Sequence, residues 1–102
     1  MFDVRELLDE AGRSPFGAWV SRLSPVAAAK VEAAIARMRA GNFGDHKSVG
    51  EGVWERRIDW GPGLRIYYGR KDDKLVLLLG GGDKSSQSRD ILRAREFWQW
   101  KR

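Results

Sequence analysis

The stretch that decides the fold is VWERRIDWGPGLRIYYGRKDDKLVLLLGGGDKSSQSRD, from Val53 to Asp90. It reads as three strands joined by two hairpin turns. In the first strand Trp54, Ile58 and Trp60 share a face, with Arg56 as the exception, and in the second Leu64, Ile66 and Tyr68 do so. A Gly61-Pro62-Gly63 loop pairs Trp60 with Leu64, Ile58 with Ile66, Asp59 with Arg65 and Arg57 with Tyr67. A two-residue Pro62-Gly63 loop would mix the faces, and a one-residue slip moves every side chain to the wrong side, so the three-residue loop is expected. The third strand, Leu75 to Leu79, is apolar on both faces, as a central strand is.

Outward from this stretch, Ser85 to Arg102 reads as a helix with Ile91, Ala94, Arg95 and Trp98 on one stripe, and Phe97 and Trp100 off it. Upstream, Asn42 to Gly52 reads as a polar loop containing His46 and Lys47. Before it, Ser14-Pro15 and Ser24-Pro25 each place a serine N-cap ahead of a proline at the first helical position. Phe16, Trp19, Val20 and Leu23 then form one helical face, and Ala27, Val31, Ala34, Ile35 and Met38 another. Gly41 is expected to close the second helix. Met1 to Leu8 begins with a short alternation that suits an edge strand. The expected order is β-α-α-β-β-β-α, a single α+β domain over residues 1–102. Its sheet is mostly antiparallel, and the helices, including the helical hairpin, are packed on one face.

The chain has 102 residues, no cysteine and one histidine. Disulfides and thiol catalysis are therefore excluded, and a metal site would rest on carboxylates that do not cluster. No cofactor is expected. No apolar run approaches a membrane span and Met1-Phe2-Asp3 does not begin a secretory signal, so a cytoplasmic protein with no membrane partner is the default. Nineteen Lys and Arg against 14 Asp and Glu leave a formal charge of +5, which favours a polyanionic partner.

With helices on the Leu64 face, the other face would carry Glu55, Arg57, Asp59, Arg65 and Tyr67, flanked by Lys47 and Lys84. Guanidinium forks bind phosphate oxygens and stabilise charge that grows on them, and aromatic rings stack on unpaired bases. The alternative is a solvated sheet face with a cross-strand Asp59–Arg65 pair. The glycines Gly80 to Gly82 lack the spacing of a phosphate loop and suit a bulge or a close approach instead.

The hairpin Arg57-Ile58-Asp59-Trp60-Gly61-Pro62-Gly63-Leu64-Arg65-Ile66-Tyr67 and the Gly80-Gly81-Gly82-Asp83-Lys84-Ser85 strand end resemble the RelE/ParE toxin superfamily, and more closely its HigB-like addiction module killer branch. Element order is similar over most of the chain, and the specific motifs lie in the last half. The resemblance implies a type II toxin that cleaves messenger RNA on the ribosome, the RNA's own 2′-hydroxyl attacking the adjacent phosphate. It implies Arg65 at the scissile phosphate, Arg57 near a position where relatives carry a catalytic lysine, and Lys84 as a further transition-state cation. Lys47, Tyr67, His46 and Arg89 are then expected substrate contacts, although a lone loop histidine also suits plain solvation. The partner implied is a cognate antitoxin, often a helix-turn-helix protein. Two departures stand out: Glu55 occupies a site that is often basic, and the C-terminal tyrosine of some relatives is absent, with Arg89-Asp90 in that region. These keep open a ParE-type gyrase poison acting by protein contact, and charge alone keeps open a non-catalytic nucleic-acid-binding module.

Overall fold

Both serine caps form as the sequence dictates. In the computed structural model, which describes residues 1–101, Ser14 Oγ accepts from Gly17 N at 2.8 Å and starts α1 (Pro15–Ser21). Ser24 Oγ accepts from Ala27 N at 3.2 Å and starts α2 (Pro25–Arg39). The end of α2 closes in a Schellman arrangement, with Gly41 N donating to Met38 O and Asn42 N to Arg37 O. Ahead of the helices is β1 (Asp3–Glu6), and after them come β2 (His46–Gly50), β3 (Val53–Ile58), β4 (Leu64–Lys71) and β5 (Leu75–Gly82). A 3-10 turn at Lys84–Ser86 leads into α3 (Gln87–Lys101).

The strands form one mixed sheet in the order β1-β5-β4-β3-β2, with β1 parallel to β5 and the other neighbours antiparallel. The apolar strand β5 lies inside the sheet between β1 and β4, and the α+β class follows the sequence reading. Three features differ from it. The segment expected as a loop contains β2, a short edge strand in which Val49 is the buried side chain and His46, Lys47 and Ser48 are exposed. It offers no apolar alternation, and only the Glu51-Gly52 turn, with φ of 54° and 85°, marks the hairpin.

The helices also do not share a face. Hairpin helices α1 and α2 cover Leu64, Ile66, Tyr68, Val76 and Leu78 with Phe16, Trp19, Val31, Ile35 and Met38. Helix α3 lies on the opposite side, where Ala94 and Trp98 pack on Val53, Tyr67 and Leu79. A strand apolar on both faces needs cover on both, and β5 receives it. Two glycines let the indoles approach. A Cβ on Gly81 would stand 2.1 Å from the Trp19 ring, and one on Gly69 2.7 Å from Trp98. The glycine run thus serves a close approach, and the β4–β5 register also shifts opposite it, between Tyr67 and Tyr68.

Finally, the β3–β4 ladder is two residues away from the expected one. Ile58 faces Leu64, Arg57 faces Arg65 and Glu55 faces Tyr67. A two-residue shift leaves every side chain on the same face, so facial consistency cannot detect it. The connection is Asp59–Gly63, with Gly61 and Gly63 at positive φ, and Asp59 leaves the ladder for the turn.

Candidate functional site

The shifted register sets two arginines opposite one another, an arrangement that by itself destabilises a sheet. A carboxylate resolves it. Glu55 lies two residues before Arg57 on β3 and is 0% exposed. Its Oε1 is 4.0 Å from Arg57 Nε and its Oε2 3.6 Å from Arg65 Nε, ion-pair distances to both guanidiniums. Tyr67 Oη donates to Oε2 at 3.1 Å from the facing strand, and Gln87 Nε2 donates to the same oxygen at 2.9 Å from the start of α3. Glu55 Oε1 accepts no hydrogen bond. Burial, reinforced by the Glu55 charge, pushes the Tyr67 phenol well above its ordinary range, so it remains a donor throughout physiological pH.

Above this carboxylate, the arginines line an open groove of about 560 Å³ with Lys84, Asp45, Asp59 and the Gly61–Gly63 turn. Arg65, 8% exposed, is held over the turn because its Nη1 donates to Gly63 O at 2.7 Å. Arg57 is more open, and its Nη2 donates to Asp45 Oδ1 at 3.1 Å. Lys84 reaches the rim because its backbone N donates to Pro62 O at 3.3 Å, fastening the 3-10 turn to the hairpin tip. Asp83 caps that turn, accepting from the Ser85 hydroxyl and from Ser85 and Ser86 N, and these bonds hold its carboxyl below the ordinary range. One buried arginine, one partly exposed arginine and an exposed ammonium around a shared space match an oxyanion with several oxygens.

Arg57, Arg65 and Lys84, nominated from the sequence, therefore share one groove. The other nominated residues do not line it. Tyr67 is 0% exposed beneath α3, so no ring face is free for a base, and its part is to bind Glu55. His46 belongs to β2 rather than a loop; its Nδ1 lies 2.8 Å from Gly44 O and its ring packs beside Phe43 and Trp54. Lys47 is exposed on the same edge strand and Arg89 on α3. The expected Asp59–Arg65 pair is replaced by Glu55–Arg65, because the longer turn carries Asp59 out of the ladder. Sequence reasoning missed Gln87, 32 residues from its partner, which no local pattern announces. It also missed Asp45, brought in where Arg57 N donates to Asp45 O at 2.8 Å. Among the described residues no helix is long and apolar enough to cross a membrane, and no three His, Asp or Glu cluster as metal ligands.

No protein-family model matches the chain. A Haemophilus influenzae (strain Rd) protein whose description reads "Uncharacterized protein" is 49% identical over 81 residues, spanning 78% of this chain and 82% of that protein. The chain belongs to that protein's family. Membership carries no activity with it.

Proposed function

We propose that this chain is the toxin of a type II toxin–antitoxin module of the RelE/ParE kind, an endoribonuclease that cleaves messenger RNA on the ribosome. The observation that carries the reading is the convergence of Arg57, Arg65 and Lys84 on one groove, two of them beside a buried carboxylate. In the reaction the RNA 2′-oxygen attacks the adjacent phosphorus and the 5′-oxygen leaves, giving a 2′,3′-cyclic phosphate and a 5′-hydroxyl. Guanidiniums do not give up protons, so Arg57 and Arg65 bind the non-bridging oxygens and stabilise the added charge. Asp59 lines the groove with no ion-pair partner among the described residues, whereas Asp45 is engaged by Arg57. In this reading Asp59 accepts the 2′-hydroxyl proton, and the Lys84 ammonium donates a proton to the departing 5′-oxygen. The natural inhibitor is a cognate antitoxin, and the +5 charge favours one with an acidic segment.

One observation favours a second reading, a gyrase poison acting by protein contact. Arg57 and Arg65 already stand beside Glu55, and Arg57 also holds Asp45, which leaves Lys84 as the groove cation that makes no ion pair among the described residues. Purified protein incubated in parallel with translating ribosomes, naked RNA, and gyrase with plasmid DNA separates the two. Cyclic-phosphate ends made only on ribosomes support the nuclease. Cleavage of naked RNA makes it a free ribonuclease. Intact RNA with supercoiling arrested selects the gyrase reading.

A further inference from the structure

The parallel strand β1 is shorter than the strand it borders. Its register runs from Asp3 opposite Leu75 to Glu6 opposite Leu78, ending with Leu7 N donating to Leu78 O at 3.0 Å. Beyond that point Leu79–Gly82 is paired only on its other side, where Gly80, Gly81 and Gly82 face Tyr67, Ile66 and Arg65. Among the described residues, no hydrogen bond from another element reaches the free side of this half-strand. An unpaired edge is a template for another strand.

This edge lies at the bottom of a trough. A cavity of about 320 Å³ runs along it, walled on one side by Ala18 and Trp19 of α1 with Arg22 at its C-cap, and on the other by Arg93, Ala94 and Phe97 of α3. Each wall thus offers an apolar patch with one arginine. The one carboxylate in the lining, Asp90, already accepts from Ser86 Oγ. A Cβ on Gly80 would meet nothing within 4 Å, so the floor has free space. Past Phe97 lies a second hollow lined by Asp9, Glu10 and Ala11, where the half-exposed Trp100 ring lies nearly parallel to Phe97, 5.9 Å centre to centre; its carboxylates confine an acidic guest to the first cavity.

We propose that this trough takes an extended, acidic segment of a partner protein, which adds to β5 as a further strand. Alternating amide and carbonyl groups on the edge select a peptide backbone, since the carbonyls would repel phosphates. A strand's side chains alternate between its two faces, so successive residues of the guest meet the α1 wall and the α3 wall in turn. Carboxylates reach Arg22 and Arg93, and small apolar groups fill the space between Trp19 and Phe97. None of these residues lines the cationic groove, so the inference stands or falls apart from the nuclease reading.

The test is selection of octapeptides from a phage-displayed library on the full chain, followed by synthesis of the winners. Enriched sequences should alternate acidic and small apolar residues and protect the amides of Leu79–Gly82 from hydrogen exchange. Methylating alternate backbone nitrogens of the peptide should weaken binding at least tenfold, as should Gly80→Leu, which fills the trough floor. The double reversal Arg22→Glu and Arg93→Glu, at surface positions, should switch the preference towards basic peptides. No enrichment, peptides indifferent to backbone methylation and to Gly80→Leu, or protection of Leu79–Gly82 by an RNA oligonucleotide instead would each overturn the proposal.

Discussion

Both faces of the sheet are closed over by helices, but they are filled with different chemistry. Under α1 and α2 the β4 residues Leu64, Ile66 and Tyr68 meet apolar side chains. Under α3 the same strand turns Arg65 and Tyr67 towards a fully buried carboxylate. The adjacent tyrosines make the contrast plain. Burial raises the Tyr68 phenol to about 12, with Arg70 and Arg56 pulling the other way, whereas the Glu55 charge adds to burial at Tyr67 and pushes it further. One face is a core. The other is a core at the Trp98 end and a support for cations at the hairpin end.

The largest expected effect breaks that support. Glu55→Ala leaves Arg65 buried opposite Arg57 with no counter-charge, and removing one partner of a buried ion pair costs about 3–5 kcal/mol. The melting temperature should fall by about 12 °C or more, measured by calorimetry. Replacing the whole set, with Glu55→Leu, Arg57→Met, Arg65→Met and Tyr67→Phe together, should restore stability while message cleavage stays lost. Should the four-fold variant remain as unstable as Glu55→Ala, the polar set is part of the core rather than a support for function.

The apolar face answers differently. Met38 is 0% exposed, and Met38→Ala should cost about 2–5 kcal/mol in urea unfolding while cleavage per folded molecule is unchanged. Since Met38 and Glu55 lie on opposite sides of the sheet and belong to separate contact sets, their costs should add within about 0.5 kcal/mol in the double variant.

The smallest effect is alkaline. Both phenols are raised in the folded chain, so they hold their protons after the unfolded chain has lost its own, near pH 10. Their contribution is complete below that value and is lost as pH rises, by about pH 12 for Tyr68. Unfolding free energy followed from pH 8 upward should decline above pH 10, and Tyr68→Phe should remove one tyrosine's share of the slope. An unaltered slope in that variant would place the alkaline loss elsewhere.

Much of this was legible before the fold was known. The two Ser-Pro pairs announced both helix starts, and Leu75 to Leu79 announced a strand covered on both sides. Which helix covers which side is not written in the strand, and the α3 stripe of Ile91, Ala94, Arg95 and Trp98, with only Ala94 and Trp98 buried, would suit either face. Strand β2 was missed because its pairing rests on backbone and a Glu-Gly turn rather than on side-chain pattern. The hairpin register was missed for a sharper reason: a slip of two preserves both faces, and only turn geometry separates the alternatives. At the site, Arg57, Arg65 and Lys84 could be picked out as cations near one hairpin. The role of Glu55 could not, since it depends on the facing Tyr67 and on Gln87 from a distant helix.

The central claim is that Arg65, positioned by Glu55 and Gly63, stabilises the phosphate during message cleavage. It is tested most directly by the single-turnover rate of cyclic-phosphate formation on translating ribosomes, for the parent, Arg65→Ala and Arg65→Lys, each checked for folding by circular dichroism. The account predicts a loss of about 10²–10³-fold in the alanine variant, the size expected for one oxyanion donor. It predicts poor rescue by lysine, which lacks the guanidinium fork. A folded Arg65→Ala variant that cleaves at the parent's rate would contradict it.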